Sequence, residues 1–204
     1  MTRLLLVRHG RSEMNAQHRI QGWLDSPLDA LGRSQAEAVA QRLRLEAPEA
    51  LYTSTLRRAR ETAEIIATAL DDVPLVDDDR LRERNVGHIA GMTGEEVEVE
   101  FPGLLKRWRQ SRMVTPPGGE EPRDFWERVM AAFENIAARH PERTVAVVTH
   151  GGVLATYMGH LLGLQAREWP PLSFGNTSLS IVELNGDVAR IQLVNDRCHL
   201  EVSS

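Results

Sequence analysis

Short apolar runs alternate with amphipathic helical patterns along this 204-residue chain. That alternation predicts an α/β fold, a three-layer α/β/α sandwich with a mostly parallel central sheet and one antiparallel strand. Three observations carry the expectation. Leu4–Val7 is a continuous apolar run, as a strand buried on both faces of a parallel sheet would be. Thr144–Thr149, TVAVVT, is the clearest β-branched strand in the chain. Between them, Trp126, Val129, Met130, Phe133, Ile136 and Ala137 recur at the spacing of an amphipathic helix.

The remaining elements follow in order. Asp29 is a plausible N-cap for a helix whose buried stripe is Ala36, Val39, Ala40 and Leu43. Leu51–Thr53 reads as a short strand, and Ala63, Ile66, Ala67 and Leu70 mark a second helix. Pro74–Val76 is a third candidate strand. Gly151–Leu162 reads as a buried helix, and Ser178–Leu184 with Val188–Val194 as a hairpin turned by Asn185-Gly186-Asp187. Residues 84–125 fit the alternation less well. They are expected to form a lid-like insertion over one edge of the sheet, within a single domain spanning 1–204.

The length allows one sizeable core. With 42% hydrophobic and 26% charged residues, the composition is that of a globular protein. The net charge of −5, from 24 basic and 29 acidic residues, argues against a nucleic-acid partner. No apolar stretch has the ~20 residues of a membrane span, and the N-terminal run is too short for a signal peptide. A cytoplasmic location is therefore expected. Cys198 is the single cysteine and reads as a small buried hydrophobe. The oligomeric state stays open, a homodimer included. Lys106 is the one lysine, so an Arg beside a His is no signal by itself.

The strand ends are more informative. In an open α/β sheet, ligands bind beyond the carboxyl ends of the strands. The first strand ends in Arg8-His9-Gly10, the second in Ser54 followed by Arg57-Arg58, and the strand at 144–149 in His150-Gly151-Gly152. If these ends converge, two histidines and several arginines share one crevice. A phosphoryl group carries about two negative charges, and guanidinium groups match its oxygens. A neutral imidazole at the centre can attack phosphorus, nearby arginines disfavour its protonated form, and a carboxylic acid must protonate the leaving alkoxide. Glycine at position 10 would let the chain turn tightly where phosphate approaches.

RHGRSEMN (Arg8–Asn15) resembles the signature of the histidine phosphatase superfamily, which contains phosphoglycerate mutases and many phosphatases. QGWLDSPLDALGRSQA (Gln21–Ala36), STLRRARET (Ser54–Thr62), RLRERNVGHIAG (Arg80–Gly91), VTHGG (Val148–Gly152) and NTSL (Asn176–Leu179) follow in the family's order. The resemblance implies a phosphoglycerate mutase-like fold. It implies His9 as the phosphorylated nucleophile, Arg8 and Arg58 as phosphoryl ligands, His150 as a further donor and Glu83 as the proton donor. Asn15 would help hold the phosphoryl group, and Gln21, Gly22 and Gly151 would border the substrate. Neither a metal nor another cofactor is implied, and the partner is a small-molecule phosphate ester.

Glu120 and Glu121 in PPGGEEP are the nearest rival acids to Glu83, and Glu121 stands where many family phosphatases have Ser. Val86 stands where mutases usually have an aromatic, and Gln110 where they have a second basic residue, which favours a phosphatase. A 2,3-bisphosphoglycerate-dependent phosphoglycerate mutase is the alternative, and a non-catalytic phospho-ligand module a lower one. Arg84 and Arg112 leave room for a substrate with a further carboxylate or phosphate. Trp108 and Trp126 read as packing residues.

Overall fold

A computed structural model describes residues 1–71, 73–111, 114–164, 172–186 and 188–201, with Arg109 and Gln110 described by backbone alone. Arg112, Asp187 and the side chain of Gln110 therefore lie outside the described residues. Six strands form one sheet in the order β3-β2-β4-β1-β5-β6. These are β1 (Thr2–Arg8), β2 (Ala50–Thr53), β3 (Leu75–Asp77), β4 (Thr144–Thr149), β5 (Leu179–Asn185) and β6 (Val188–Asp196). β1 to β4 run parallel, and β5 is the antiparallel strand, paired with β1 on one side and β6 on the other. Gly186, at φ +58, permits the two-residue link between Asn185 and Val188.

Continuous apolar runs form the central strands because both faces are covered. Leu5 and Val7 pack with Val39, Leu43 and Ile66 of helices α2 (Ala30–Arg44) and α3 (Arg57–Ala69). Leu4 and Leu6 face the other way, into Val129, Phe133 and Leu154 of α6 (Pro122–Arg139) and α7 (Gly151–Leu161). Phe133 and Tyr157 stack at 3.8 Å between centroids and join those two helices. Two helices begin at residues suited to a helix start. Asp29 Oδ1 accepts the Gly32 N–H at 2.7 Å, and Pro122 occupies the first turn of α6, where its missing N–H costs nothing.

Two short helices, α4 (Gly94–Glu100) and α5 (Leu104–Gln110), belong to the segment between β3 and α6. A small cluster of Val86, Ile89, Val97 and Leu104, with Ile20 and Trp108 against it, holds that segment together. Ile20 and the segment exchange backbone hydrogen bonds, Ile20 N–H to Met92 O at 2.9 Å and Gly91 N–H to Ile20 O at 2.7 Å. Ile20 follows central β1 through the short α1 (Glu13–Ala16), so the segment stands over the carboxyl ends of central strands. Cys198 is exposed, not buried, because its 3-10 turn (Cys198–Leu200) follows the outermost strand.

Candidate active site

β1 and β4 are adjacent and in register, Arg8 opposite Thr149, so their next residues, His9 and His150, emerge side by side. The His9 N–H donates to Thr149 O at 2.9 Å, and the two ring centroids lie 5.1 Å apart. Both rings are buried. His9 Nδ1 is 2.7 Å from the Gly10 carbonyl, which can only accept. Nδ1 therefore carries the hydrogen of the neutral ring, and Nε2 keeps its lone pair. His150 Nε2 is 2.7 Å from Ser54 Oγ, which already accepts the Leu56 N–H. His150 Nδ1 is a buried atom with no hydrogen-bond partner among the described residues.

Burial first, then the charges of Arg58 and Arg8, holds the His9 imidazole well below its ordinary pKa against the Gly10 hydrogen bond. Burial, then Arg58, His9 and Arg8, does the same to His150. Above pH ~6.5 such a group is neutral in both folded and unfolded chains. Below it, the unfolded chain binds a proton that the folded chain refuses, so stability falls as pH falls. The unfolding free energy of the ligand-free protein is expected to drop as pH falls from ~6.5 to ~5, by up to about 1.4 kcal/mol per pH unit for each histidine. His150→Asn should remove one proton from that slope in urea titrations. A flat profile would show that both rings protonate in place.

Arg8 and Arg58 flank the pair. Arg58 is 1% exposed; its Nη1 donates to Leu24 O at 3.0 Å and its Nη2 to Gly22 O at 2.9 Å. Burial, offset by Glu83 and Asp25, brings its pKa down to about 10. Arg8 Nη1 donates to Phe174 O, and burial lowers its pKa as well. The Nε atoms of both arginines are buried without a partner among the described residues. Two guanidinium donors and the His150 Nδ1 thus stand unsatisfied around one neutral imidazole. Unpaired buried polar atoms are costly and rare, and the two guanidinium donors give this region a charge that suits an anion.

Asn15 caps α1 reciprocally with Ser12, and its Oδ1 accepts from Ser12 N and Asn176 Nδ2, both at 3.3 Å. Gln21 Oε1 accepts from Ser12 Oγ at 2.9 Å. Gly22 has φ +52, and a Cβ there would stand 2.6 Å from Val86 Cγ2. Gly10 does not serve the tight turn expected of it. Its α-carbon packs against α2, where a Cβ would meet Gly32 O at 2.5 Å.

Glu83 follows the 3-10 turn Asp79–Leu81 and reaches α7. Its Oε1 accepts the Arg84 N–H at 2.9 Å and its Oε2 the Gly152 N–H at 3.0 Å. A Cβ on Gly152 would lie 2.2 Å from Oε1, whereas one on Gly151 meets Arg8 Nε only at 3.7 Å. Gly152→Ala is therefore expected to push the Glu83 carboxyl out of place at little cost in stability, because the end of a flexible side chain can move aside, with Gly151→Ala leaving that carboxyl where it is. Thermal melts and a crystal structure of each variant check this. The rival acids stand elsewhere. Glu120 pairs with Arg128 at 2.6 Å, and Glu121 accepts from Thr115 Oγ1 at 2.9 Å.

Arg8, His9, Asn15, Gln21, Gly22, Arg58, Glu83 and Gly151 line one cavity of about 340 Å³. His150 does not reach its wall and lies behind His9. The sequence reading missed Gly152, Arg19, Ile20, Leu172, Ser173 and Phe174, which also line it. Trp108 both packs in the small cluster and faces the cavity. Arg84 lines it too, but its guanidinium donates to Glu120 O and Val114 O. Trp126 packs edge-on against His160, away from this lining. Among the described residues, no cluster of three or more His, Cys, Asp and Glu could hold a metal ion, and no helix is long and apolar enough to cross a membrane.

Fold and site together define an α/β protein with an anion pocket centred on a histidine. Residues 4–197 match the profile of the histidine phosphatase superfamily (branch 1), and the chain belongs to that family. It is 38% identical over 194 residues to a glucosyl-3-phosphoglycerate phosphatase of Mycolicibacterium vanbaalenii, covering 90% of this chain and 84% of that protein. It is 36% identical over 203 residues to a metal-independent phosphoserine phosphatase of Arabidopsis thaliana, covering 98% and 84%. A solved mycobacterial glucosyl-3-phosphoglycerate phosphatase in complex with VO3 superposes with a TM-score of 0.89 at 34% identity, covering 96% of this chain and 99% of that one.

Proposed function

We propose that this protein is a metal-independent phosphomonoesterase that hydrolyses a small phosphorylated metabolite through a phosphohistidine on His9. The observation that carries the reading is the pair of unsatisfied buried guanidinium donors, Arg8 Nε and Arg58 Nε, flanking a neutral imidazole in one cavity. His9 Nε2 attacks phosphorus as the P–O bond to the leaving group breaks. Glu83, in its acid form, gives its proton to the departing alkoxide. The ring becomes cationic, and the Nδ1–H bond to Gly10 O strengthens with it. Water then attacks phosphorus, gives its proton to Glu83, and the N–P electrons return to Nε2, releasing inorganic phosphate. Arg8 and Arg58 bear the equatorial charge throughout. Asn15, Gln21, Gly22 and Gly151 border the ester, and the 84–125 segment covers its mouth within one domain spanning the chain.

The relatives named as phosphatases support hydrolysis over isomerisation, and so does Val86 in the cavity wall, which leaves no aromatic at that position. The deciding experiment is phosphate release from a panel that includes phosphoserine, glucosyl-3-phosphoglycerate, sugar phosphates and 3-phosphoglycerate. Isomerisation of 3-phosphoglycerate runs in parallel, with and without 2,3-bisphosphoglycerate. Selective phosphate release is expected. Bisphosphoglycerate-dependent isomerisation outpacing hydrolysis would make the protein a mutase. Binding of phosphorylated ligands without turnover would make it a non-catalytic module.

A further inference from the structure

Arg128 stands on the second turn of α6 with its side chain 17% exposed, and its guanidinium divides its donors between the loop that carries Glu83 and the Glu120 carboxylate. Nη1 donates to Arg80 O at 2.8 Å and Arg82 O at 2.6 Å, and Nη2 to Glu83 O at 2.9 Å. Nε and Nη2 hold the Glu120 carboxylate at 2.6 and 2.9 Å. Glu120 extends the clamp past Glu83. Its Oε2 accepts the Asn85 N–H at 3.1 Å, its own N–H donates to Asn85 O at 2.9 Å, and its carbonyl accepts from Arg84 Nε at 3.0 Å. The backbone is thus pinned on both sides of residue 83, and the guanidinium, with five donors, has none to spare.

The Arg128–Glu120 pair is largely buried and ties α6 to an irregular loop. Such pairs add little net stability, but they fix geometry. The carboxyl of Glu83 must meet one oxygen of the ester, and among the described residues its hydrogen bonds are with two backbone N–H groups. An error of about 1 Å in such a placement can cost about 10²-fold in rate. We propose that Arg128, acting through Glu120 and the carbonyls of 80–83, is a positioning residue that holds Glu83 at the leaving-group oxygen. The proposal rests on Glu83 being the proton donor.

The test compares kcat/KM for an alkyl phosphate with that for para-nitrophenyl phosphate, whose phenolate leaves without a proton. kcat/KM is chosen because it reports the step in which the alcohol departs. Arg128→Lys keeps the charge but cannot span three carbonyls and a carboxylate. It should lower the alkyl value at least about tenfold while the aryl value changes less than about threefold. Glu120→Gln keeps the Asn85 contact, releases the ion pair, and should move the alkyl-to-aryl ratio the same way. It serves if Arg128→Lys fails to fold by circular dichroism. In a Glu83→Gln background, neither substitution should lower the ratio further. Equal losses on both substrates, a lowered melting temperature with an unchanged ratio, or a loss of ratio that persists in the Glu83→Gln background would each overturn the proposal. An unchanged ratio in Glu83→Gln alone would instead overturn the proton-donor reading, and this inference with it.

Discussion

His9→Ala is expected to lower phosphate release by at least about 10⁴-fold and to leave the protein folded, because the variant loses the atom that forms the covalent bond to phosphorus. The pocket would remain. Arg8 and Arg58 are fixed by the carbonyls of Phe174, Leu24 and Gly22, not by the imidazole. The side chain itself makes one hydrogen bond, to the carbonyl of its neighbour. Its removal leaves a small void but also relieves a polar ring buried beside two guanidinium groups. Substrate binding should therefore survive better than turnover, a fall in kcat without a matching rise in Kd. Wild type quenched in alkali after mixing with labelled substrate should carry labelled phosphate, at most one per chain, and the variant none. Labelling of the variant, or activity near that of wild type, would move the nucleophile to another residue.

Much of this arrangement is legible in the sequence because it is encoded locally. β1 and β4 read as strands from unbroken apolar and β-branched runs, and the burial of both their faces is what such runs require. Asp29 as a cap, and α6 as an amphipathic helix, depend on residues within one or two turns of each other. α1 escapes because it has four residues and its capping partner is Asn15, not the Glu or Gln that signals a capping box. α4 carries the usual signal, Thr93 with Glu96, inside a segment whose Gly and Pro content hides it. What the sequence conceals is distance. Gly152 matters because Glu83, 69 positions away, occupies the space a Cβ would fill. Arg128 reads as one more arginine on a solvated helix face until the loop it grips is in place. Gly10 looks like a phosphate-loop glycine, and only packing against Gly32 shows why no Cβ fits. Cys198 was placed in the core by residue type, although a turn after an outermost strand has no second layer to enter.

Glu83→Gln separates the chemistry of the leaving group from everything else the pocket does. The amide is nearly isosteric but has one acceptor oxygen for the two N–H groups of Arg84 and Gly152, so it keeps only one of those bonds. The loop should still hold its place, because Arg128 Nη2 and Trp23 Nε1 grip the Glu83 carbonyl. It has no acidic proton to give. An alkoxide leaving without one is strongly basic, whereas para-nitrophenolate is stable at neutral pH. The variant is expected to lose about 10²- to 10³-fold in kcat/KM on an alkyl phosphate and less than about tenfold on para-nitrophenyl phosphate. The same carboxylate then takes the proton from water in the second step. kcat on the aryl ester should therefore fall more than kcat/KM, and phosphorylated His9 should accumulate during turnover. Equal losses in kcat/KM on both esters, with no accumulated phosphoenzyme, would place the acid elsewhere and leave Glu83 as a structural link between its loop and α7. Glu120 would not inherit the role, because its carboxylate is held by Arg128 and lies outside the cavity lining.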